Sequence, residues 1–526
     1  MTLIHPYSDW TSSSGMLVTA PVDVTGLDTD ELALLDELID VWNAKRVRNA
    51  LKTQYADGKH KLEQIGFSIP PSMRSLQEVV GWPEKAVRAH AERCMFDGFV
   101  SKHDSQDPFD LRRLMAENNF DNEIPMAIAS SMIHSCAFIS VVKGNISDGE
   151  PPIVVTATSA EWAAGLWNPR KRCLRGGIVI HKKDDYASPI SLTLFTPDKT
   201  IDLQRSNADG QWHVSGKPLV HGLHRVMMEV LAYRPTLDRP FGRSVISRPV
   251  MSITDDAVRT VLRSEVSAEF YSAPQWLLLG ADPDSFTDDD GNPIPVWEFV
   301  IGRLNMIGKD EDGDVPKLEQ ISQQSVQPHI EQMRELACRF AGETSVPVSS
   351  LGVVTDNPSS AEAMHAAEKD LCVDCAAATR VYGAALRRVA QDMILLRDGP
   401  SNDQETIDEF ASLSVRWRNP AMPSVIDAGD AMVKLIGAFP WLADTTVALE
   451  EVGFTDEQIT RLLAEKRRNQ AMGSLDQLLT PKEVPDARQD GSRPAGAGTE
   501  PDGGTRADGS GQTLGQPQGT GTEHAA

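Results

Sequence analysis

The sequence carries no phosphate-binding loop of the form G-x-x-x-x-G-K-S/T, so it is not a P-loop motor. It has no G-x-G-x-x-G after a strand-like run, no H-E-x-x-H and no G-x-S-x-G. Dinucleotide, zinc-protease and serine-hydrolase chemistry lose their usual marks with them. No apolar run reaches the about 20 residues of a membrane span. The most apolar window, Met126–Val142, is broken by Ser130, Ser131, His134, Ser135 and Ser140. No basic segment followed by an apolar core opens the chain, so no signal peptide is expected. Cysteine is sparse: Cys94, Cys136, Cys173, Cys338, Cys372 and Cys375 are scattered without a framework, which fits a reducing compartment. Cys372 and Cys375 make one C-x-x-C inside a helical pattern, with no second pair, and read as two helix cysteines. Positive charge is also short. Lys and Arg number 51 against 75 Asp and Glu, a net charge of −24. That argues against a protein gripping nucleic acid over a wide basic face, but not against one that touches DNA without holding it.

What is present is an ordinary soluble composition, 40% apolar and 24% charged over 526 residues. Such a length holds two to four domains. Apolar residues at helical spacing predict helices over Leu27–Asn49, Trp82–Phe96 and Pro108–His134. The period then changes. Ala137–Lys143, Ile153–Thr158, Gly177–His181, Ile190–Phe195, Thr200–Gln204, Gln211–Val214 and Arg225–Tyr233 are short runs rich in Val, Ile, Thr and Phe. They predict an antiparallel sheet, and with the helices an α+β fold. Arg239–Ser244 punctuates the chain before a long helix, about Pro249–Tyr271. With Ile246 just upstream, Val250, Ile253, Ala257, Val261, Ser264, Ala268 and Tyr271 form its first row of apolar or small residues, and Val258, Leu262 and Val266 a second, apolar one. At about 1.5 Å per residue it spans roughly 30–35 Å. Two rows fit a helix packed on both sides in a ring, or a buried helix in a monomer. Gln275–Gly280 reads as a strand and Val296–Met306 as a short helix.

Two acidic turns flank that short helix, with Asp288, Asp289 and Asp290 in one and Asp310, Glu311 and Asp312 in the other. An EF-hand needs glycine at the sixth position of its loop. Gly313 falls fourth from Asp310, so these read as solvated loop tips. His221 and His224 lack a partner cluster and read as surface or strand histidines.

The stretch Val326–Leu396 is the most telling. A helix over Val326–Phe340 carries Ile330, Met333, Leu336 and Phe340 on one face. A loop, Thr344–Pro358, follows with a single acid. Surface loops are usually more polar, so this one packs against something or lines a passage. Ser359 and Glu362 then form a capping box. They start a helix with Leu371, Cys375, Ala378, Tyr382, Leu386, Val389, Met393 and Leu396 on one stripe. Leu413–Arg418 reads as a strand, and Ala428–Phe439 and Asp456–Asn469 as helices, the last capped by Thr455 and Gln458. From Gly473 to Ala526 there is no aromatic residue, and Gly, Pro, Thr, Gln and Asp dominate. That tail is expected to be disordered.

With these segments in hand, the chain resembles the portal proteins of tailed bacteriophages with long non-contractile tails. Tyr55–Phe67 with Ile69–Pro71, Arg239–Ser244, Val346–Gly352 with Asn357–Glu362, Trp417–Pro420, Ala428–Phe439 and Glu451–Arg468 carry the likeness, in this order and spacing. The resemblance implies a portal fold: an N-terminal arm (1–26), a wing of helices and antiparallel sheet (27–247), and a two-helix stem (248–271 and 326–342). It also implies a small α/β clip (272–325), a tunnel loop (343–358), a long wing-crossing helix with further wing (359–418), and a helical crown (419–472) before the disordered tail (473–526). It implies a twelve-subunit ring at one capsid vertex of the virion, assembled in the host cytoplasm, with no enzymatic activity, no cofactor and no membrane. Double-stranded DNA would pass through it during packaging and ejection. The terminase large subunit and then a head–tail adaptor would dock at the clip, at Asp288, Asp289, Asp290, Asp310, Glu311 and Asp312. The major capsid protein and a scaffold would surround it. Val346, Val348, Ser349, Ser350, Leu351, Val353, Val354, Thr355 and Asn357 would line the channel, and Arg248, Arg259 and Arg263 would face the channel or neighbouring stems. Two rival readings are another structural ring, such as a head–tail adaptor, and a DNA-processing enzyme subunit, which would need a nucleotide loop or an acidic metal cluster.

Overall fold

The computed structural model describes residues 24–62, 78–102, 107–185, 187–206, 210–271, 275–279, 317–321, 325–353, 361–421 and 425–479. The chain divides into two compact units, Met1–Leu462 and Leu463–Ala526. In the second, the described residues are 463–479 and all are helical.

The first helix, α1 (Thr29–Ala56), starts on a reciprocal cap. Asp28 Oδ1 accepts from Glu31 N at 2.8 Å, and Glu31 Oε2 accepts from Asp28 N at 3.1 Å. Leu35, Leu38, Ile39 and Trp42 recur at helical spacing and are all buried. They cover a seven-stranded sheet built from β1 (Val24–Thr25), β5 (Ala163–Asn168), β6 (Cys173–Lys183), β7 (Pro189–Phe195), β8 (Lys199–Arg205), β9 (Trp212–Val214) and β10 (Leu219–Val220). Strand alternation puts Ile178 and Ile180, Leu192 and Leu194, and Ile201 and Leu203 on the face that meets α1. Each such side chain contributes about 1.5–3 kcal/mol by leaving water. The pairing is antiparallel except where β1 runs parallel to β9.

The expected single sheet is two. Strands β3 (Cys136–Lys143), β4 (Ile153–Ser159) and β11 (Met228–Ala232) form a separate antiparallel sheet in the order β11–β3–β4. Pairing cannot be read from runs of β-branched residues, because each run fits any pleated neighbour. The expected helix Pro108–His134 is also divided. A 3₁₀ turn at Pro108–Asp110 leads into α3 (Leu111–Glu117), and α4 (Phe120–His134) follows after a break at Asn118 and Asn119. Asn119 has φ of 51°. Asn118 is buried, and its amide holds the break: Nδ2 donates to Leu114 O and Ile153 O, both at 2.9 Å, and Oδ1 accepts from Val155 N at 2.8 Å. Asparagine tolerates such turns because its side chain replaces the lost backbone partner.

The expected helix Trp82–Phe96 ends early. α2 spans Trp82–Ala91, and Phe96–Val100 is a strand, β2. It pairs with β14 (Ser414–Trp417), more than 300 residues later. Arg416 ties this pair together, donating to Asp97 Oδ2 at 3.0 Å and to Glu450 Oε1 at 3.2 Å.

The largest core joins α2, α4, the three-stranded sheet and three further helices: α5 (Arg248–Tyr271), α6 (Gln327–Thr344) and α7 (Ala361–Asp398). All eight stripe positions expected on α7, from Leu371 to Leu396, are buried. Then come α8 (Gln404–Ser412), α9 (Val425–Ala438), α10 (Thr446–Val452) and α11 (Asp456–Leu479). The last helix runs past Gly473, so its final turns occupy residues expected in the disordered tail. Strands β12 (Gln275–Leu279) and β13 (Lys317–Ile321) pair antiparallel. The helix expected at Val296–Met306, Ile69–Pro71 and the residues after Leu479 lie outside the described residues.

Candidate functional site

The site expected from the sequence lies where α5 and α6 meet the loop that follows them. The two helices run antiparallel. Ser247, just before α5, donates to Glu343 Oε1 near the end of α6 at 3.2 Å, and Ser267 lies 3.2 Å from His329 Nε2 at the opposite end. Val250, Ile253 and Ala257 on α5, and Leu336, Ala337, Phe340 and Ala341 on α6, are buried in the shared core. Trp82 packs against Phe340, with ring centroids 5.5 Å apart. The three arginines expected to face the channel or neighbouring stems differ. Arg248 is exposed and has no ion pair among the described residues. Arg259 is half-buried and pairs with Asp256 one turn earlier, at 2.8 Å. Arg263 is half-buried.

The loop is ordered by its backbone. Ser345 closes α6 in the left-handed region at φ of 59°, and its hydroxyl donates to Asp374 Oδ2 at 2.9 Å. Pro347 sets up a 3₁₀ turn over Val348–Leu351. Ser350 N donates to Pro347 O at 2.9 Å, and Gly352, at φ of 87°, leaves the turn. The set expected to line a channel divides here. Val346 and Leu351 are 2% and 9% exposed and belong to the core. Val348 and Val353 are half-buried against that core. Ser349 and Ser350 are exposed. Apolar side chains beside a helix end find the existing core before they find anything else. Val346 and Leu351 therefore act as anchors, and the two serines between them face outward. Val354, Thr355 and Asn357 lie outside the described residues. So do Asp288, Asp289, Asp290, Asp310, Glu311 and Asp312.

Sequence reasoning missed a buried ionic cluster between β11 and α7. Glu229 and Asp392 are 3% and 0% exposed. Arg388 Nε lies 2.7 Å from Glu229 Oε2, and Arg225 Nε lies 2.5 Å from Asp392 Oδ1. The Asp392 approach is close but misaligned, so both its oxygens lack a hydrogen bond. Burial pushes the Asp392 carboxyl well above the usual range, against the pull of Arg225 and with the help of Glu229. Burial likewise raises Glu229, against the pull of Arg388 and Arg225. The signal was available: Asp392 sits beside Met393 on an apolar stripe, where an acid needs a cation. The cluster fastens the long helix to the three-stranded sheet.

The other polar candidates settle into structural places. His224 pairs with Asp198 at 2.7 Å, and His221 Nδ1 accepts from Leu223 N at 3.3 Å. Among the described residues no group of three or more His, Cys, Asp or Glu could hold a metal. Cys375 is buried, donates to His90 O at 3.5 Å, and has its thiol pushed up, first by the hydrogen bond with Cys94 and then by burial. Thiols held protonated in this way are poor nucleophiles and poor metal ligands.

Comparison with known proteins gives one family. Residues 28–472 match the family described as phage portal protein, SPP1 Gp6-like. A portal protein of Mycobacterium phage L5 is 25% identical over 464 residues, covering 87% of this chain and 92% of its own. A portal protein of Mycobacterium phage D29 is 24% identical over 461 residues, covering 87% and 93%. Among solved structures, a chain from the neck of an empty gene transfer agent particle is 12% identical, covers 74% of this chain and 90% of its own, and has a TM-score of 0.42. A chain from the virion of the native gene transfer agent particle is 13% identical, with 68% and 85% covered and a TM-score of 0.39.

Proposed function

The chain belongs to the phage portal protein family of the SPP1 Gp6-like type, and on that premise we propose how its parts serve a portal. Portal proteins are structural components of the virion rather than enzymes. Copies of this chain assemble in the host cytoplasm and close into a ring of about twelve at one capsid vertex. The helices α5 and α6 form the stem, and the loop after α6 turns its serine tip to the bore. Double-stranded DNA is driven in through the bore and later leaves by it. Residues 272–325 receive the terminase large subunit and then the head–tail adaptor, with their acidic turns as the contact. The capsid protein, with a scaffold during assembly, surrounds the ring.

One observation supports the channel role most. Ser349 and Ser350 stand exposed on a turn in which Val346 and Leu351 are buried. No lysine or arginine occurs from Phe340 to Glu368. In a ring every residue recurs once per copy. One lysine at the tip would add many phosphate contacts, each strengthening salt-dependent adhesion. Neutral serine offers a moving duplex nothing to hold. An acidic chain keeps the remaining field repulsive.

Electron microscopy of the purified full chain tests the ring. Annuli with a central hole of duplex width are expected, and particles of single-copy size at all concentrations would overturn the reading. Exchanging Ser349 and Ser350 for lysine is expected to slow or stall genome packaging in assembled particles. Normal filling in that variant would remove the low-friction role of the loop while leaving the ring intact.

A further inference from the structure

The segment Arg234–Arg243 leaves the body as a tight turn. Thr236 and Arg239 exchange both backbone hydrogen bonds, at 3.1 and 3.0 Å, so Leu237 and Asp238 form the tip. The base is clamped. Tyr233 N donates to Ser135 O at 2.9 Å, Arg243 N to Tyr233 O at 2.7 Å, and Gly242 N to Arg239 O at 2.9 Å. Gly242 has φ of 75°, and a Cβ there would collide with the Tyr233 carbonyl. The turn is held in shape by its own backbone hydrogen bonds.

Its tip is ill matched to water. Leu237 is 94% exposed, the most of any large apolar side chain among the described residues. Arg234, Arg239, Arg243 and Arg248 are exposed, and none has an ion pair among the described residues. Asp238 is the only acid between Arg234 and Arg248, in a chain whose acids outnumber its Lys and Arg by 75 to 51. Arg234 and Arg243 also border a cleft of about 570 Å³ that His90, Tyr233, Ser247 and Glu343 help to line.

We propose that this turn is a docking knob for a second copy of the chain, with Leu237 set against small apolar side chains and the arginines on the carboxylates beside them. The inference rests on the ring reading above and names one of its contacts. A closed ring joins two different patches of the same sequence. A basic, apolar projection therefore needs an acidic, apolar acceptor on that sequence. The outer face of α1 has this chemistry in its first half, where Ala33, Asp36, Asp40 and Ala44 lie along it and are all exposed, ahead of the basic stretch that begins at Lys45. A duplex suits the knob less well. An apolar tip gains nothing on a phosphate backbone, and Asp238 and Glu343 would both repel it.

The test compares the full chain with Leu237→Asp and with Arg239→Glu by analytical ultracentrifugation over a concentration series. Both positions are exposed, so thermal melting of the single copy should not move. The concentration for half-association is expected to rise about a hundredfold in Leu237→Asp, the size of an interface hot spot. A smaller rise is expected in Arg239→Glu. An unchanged half-association concentration in both variants would overturn the knob while the wild-type ring stands. Rings that form normally but retain less linear duplex DNA would overturn it too, in favour of a nucleic-acid contact. A wild-type chain that never associates would instead sink the ring reading itself.

Discussion

The helix α7 and the segment from α9 to α11 are both helical and both apolar, yet they differ in what they leave outside. On α7 the stripe from Leu371 to Leu396 is wholly buried, and Ala385, Ala390 and Ile394 are buried beside it. Even its misplaced acid, Asp392, is held by Arg225. In the later segment Val433 is 71% exposed and Trp441 66%, with Leu435, Phe439 and Val447 also outside. Phe439 and Trp441 touch edge to face, their centroids 6.5 Å apart, without covering each other. One region is complete in a single copy. The other carries an apolar surface that the described residues leave exposed. Exposed patches of that kind mark sites of association. The contrast shows that periodicity tells which face of a helix is apolar, not whether the same chain covers it.

The contrast can be broken by measurement on the unassembled chain at low concentration. Leu386→Ala empties a site with no exposure, and a loss of about 2–5 kcal/mol in urea unfolding is expected. A loss below about 1 kcal/mol would show that the site collapses around the gap and that α7 is less tightly packed than its burial indicates. Asp392→Asn sharpens the ionic side of the comparison. A carboxyl raised on folding lends stability that is whole below its ordinary value of 3.8 and is lost as pH rises through the raised value. The asparagine variant should therefore show a flatter decline of stability from mildly acid to neutral pH. A decline as steep as the wild type's would assign it to Glu229, whose carboxyl is raised in the same direction. Thr455→Ala removes the cap of α11, where Gln458 N donates to Thr455 Oγ1 at 3.3 Å and Thr455 N to Gln458 Oε1 at 3.0 Å. About 1 kcal/mol is expected from the same unfolding curves. Trp441→Ala should cost least, within about 0.5 kcal/mol, because surface substitutions touch little. A cost matching Leu386→Ala would erase the distinction between the two regions.

Much of this was legible along the chain because local patterns carried it. The α7 stripe, the Thr455 and Gln458 cap and most strands of the two sheets follow from residue spacing alone. The misses are non-local or concern small residues. Phe96–Val100 continues an apolar helical pattern and becomes a strand only because Ser414–Trp417 reaches it. Ala163–Asn168 escaped notice because Ala163, Ala164 and Gly165 carry little β signal. At the loop, composition signalled an unusual apolar stretch but not its division. Val346 and Leu351 turn inward and Ser349 and Ser350 outward because of backbone dihedrals at Ser345 and Gly352, which the sequence shows only as small residues. Asp392 beside the apolar stripe signals a buried acid, but its partners required knowing that β11 lies against α7.

The pairing of β2 with β14 has a consequence for synthesis. A ribosome delivers Phe96–Val100 early, and the strand that completes it last of all before α9. Until Trp417 emerges, the first strand is an open edge, able to pair with a stranger, and Asp97 lacks the guanidinium of Arg416. Contacts so distant along the chain form slowly, because a long loop must close before they reward it. A nascent subunit thus holds this strand unpaired while more than 300 further residues are made, and products that stop short of Ser414 lack the clasp between β2 and β14.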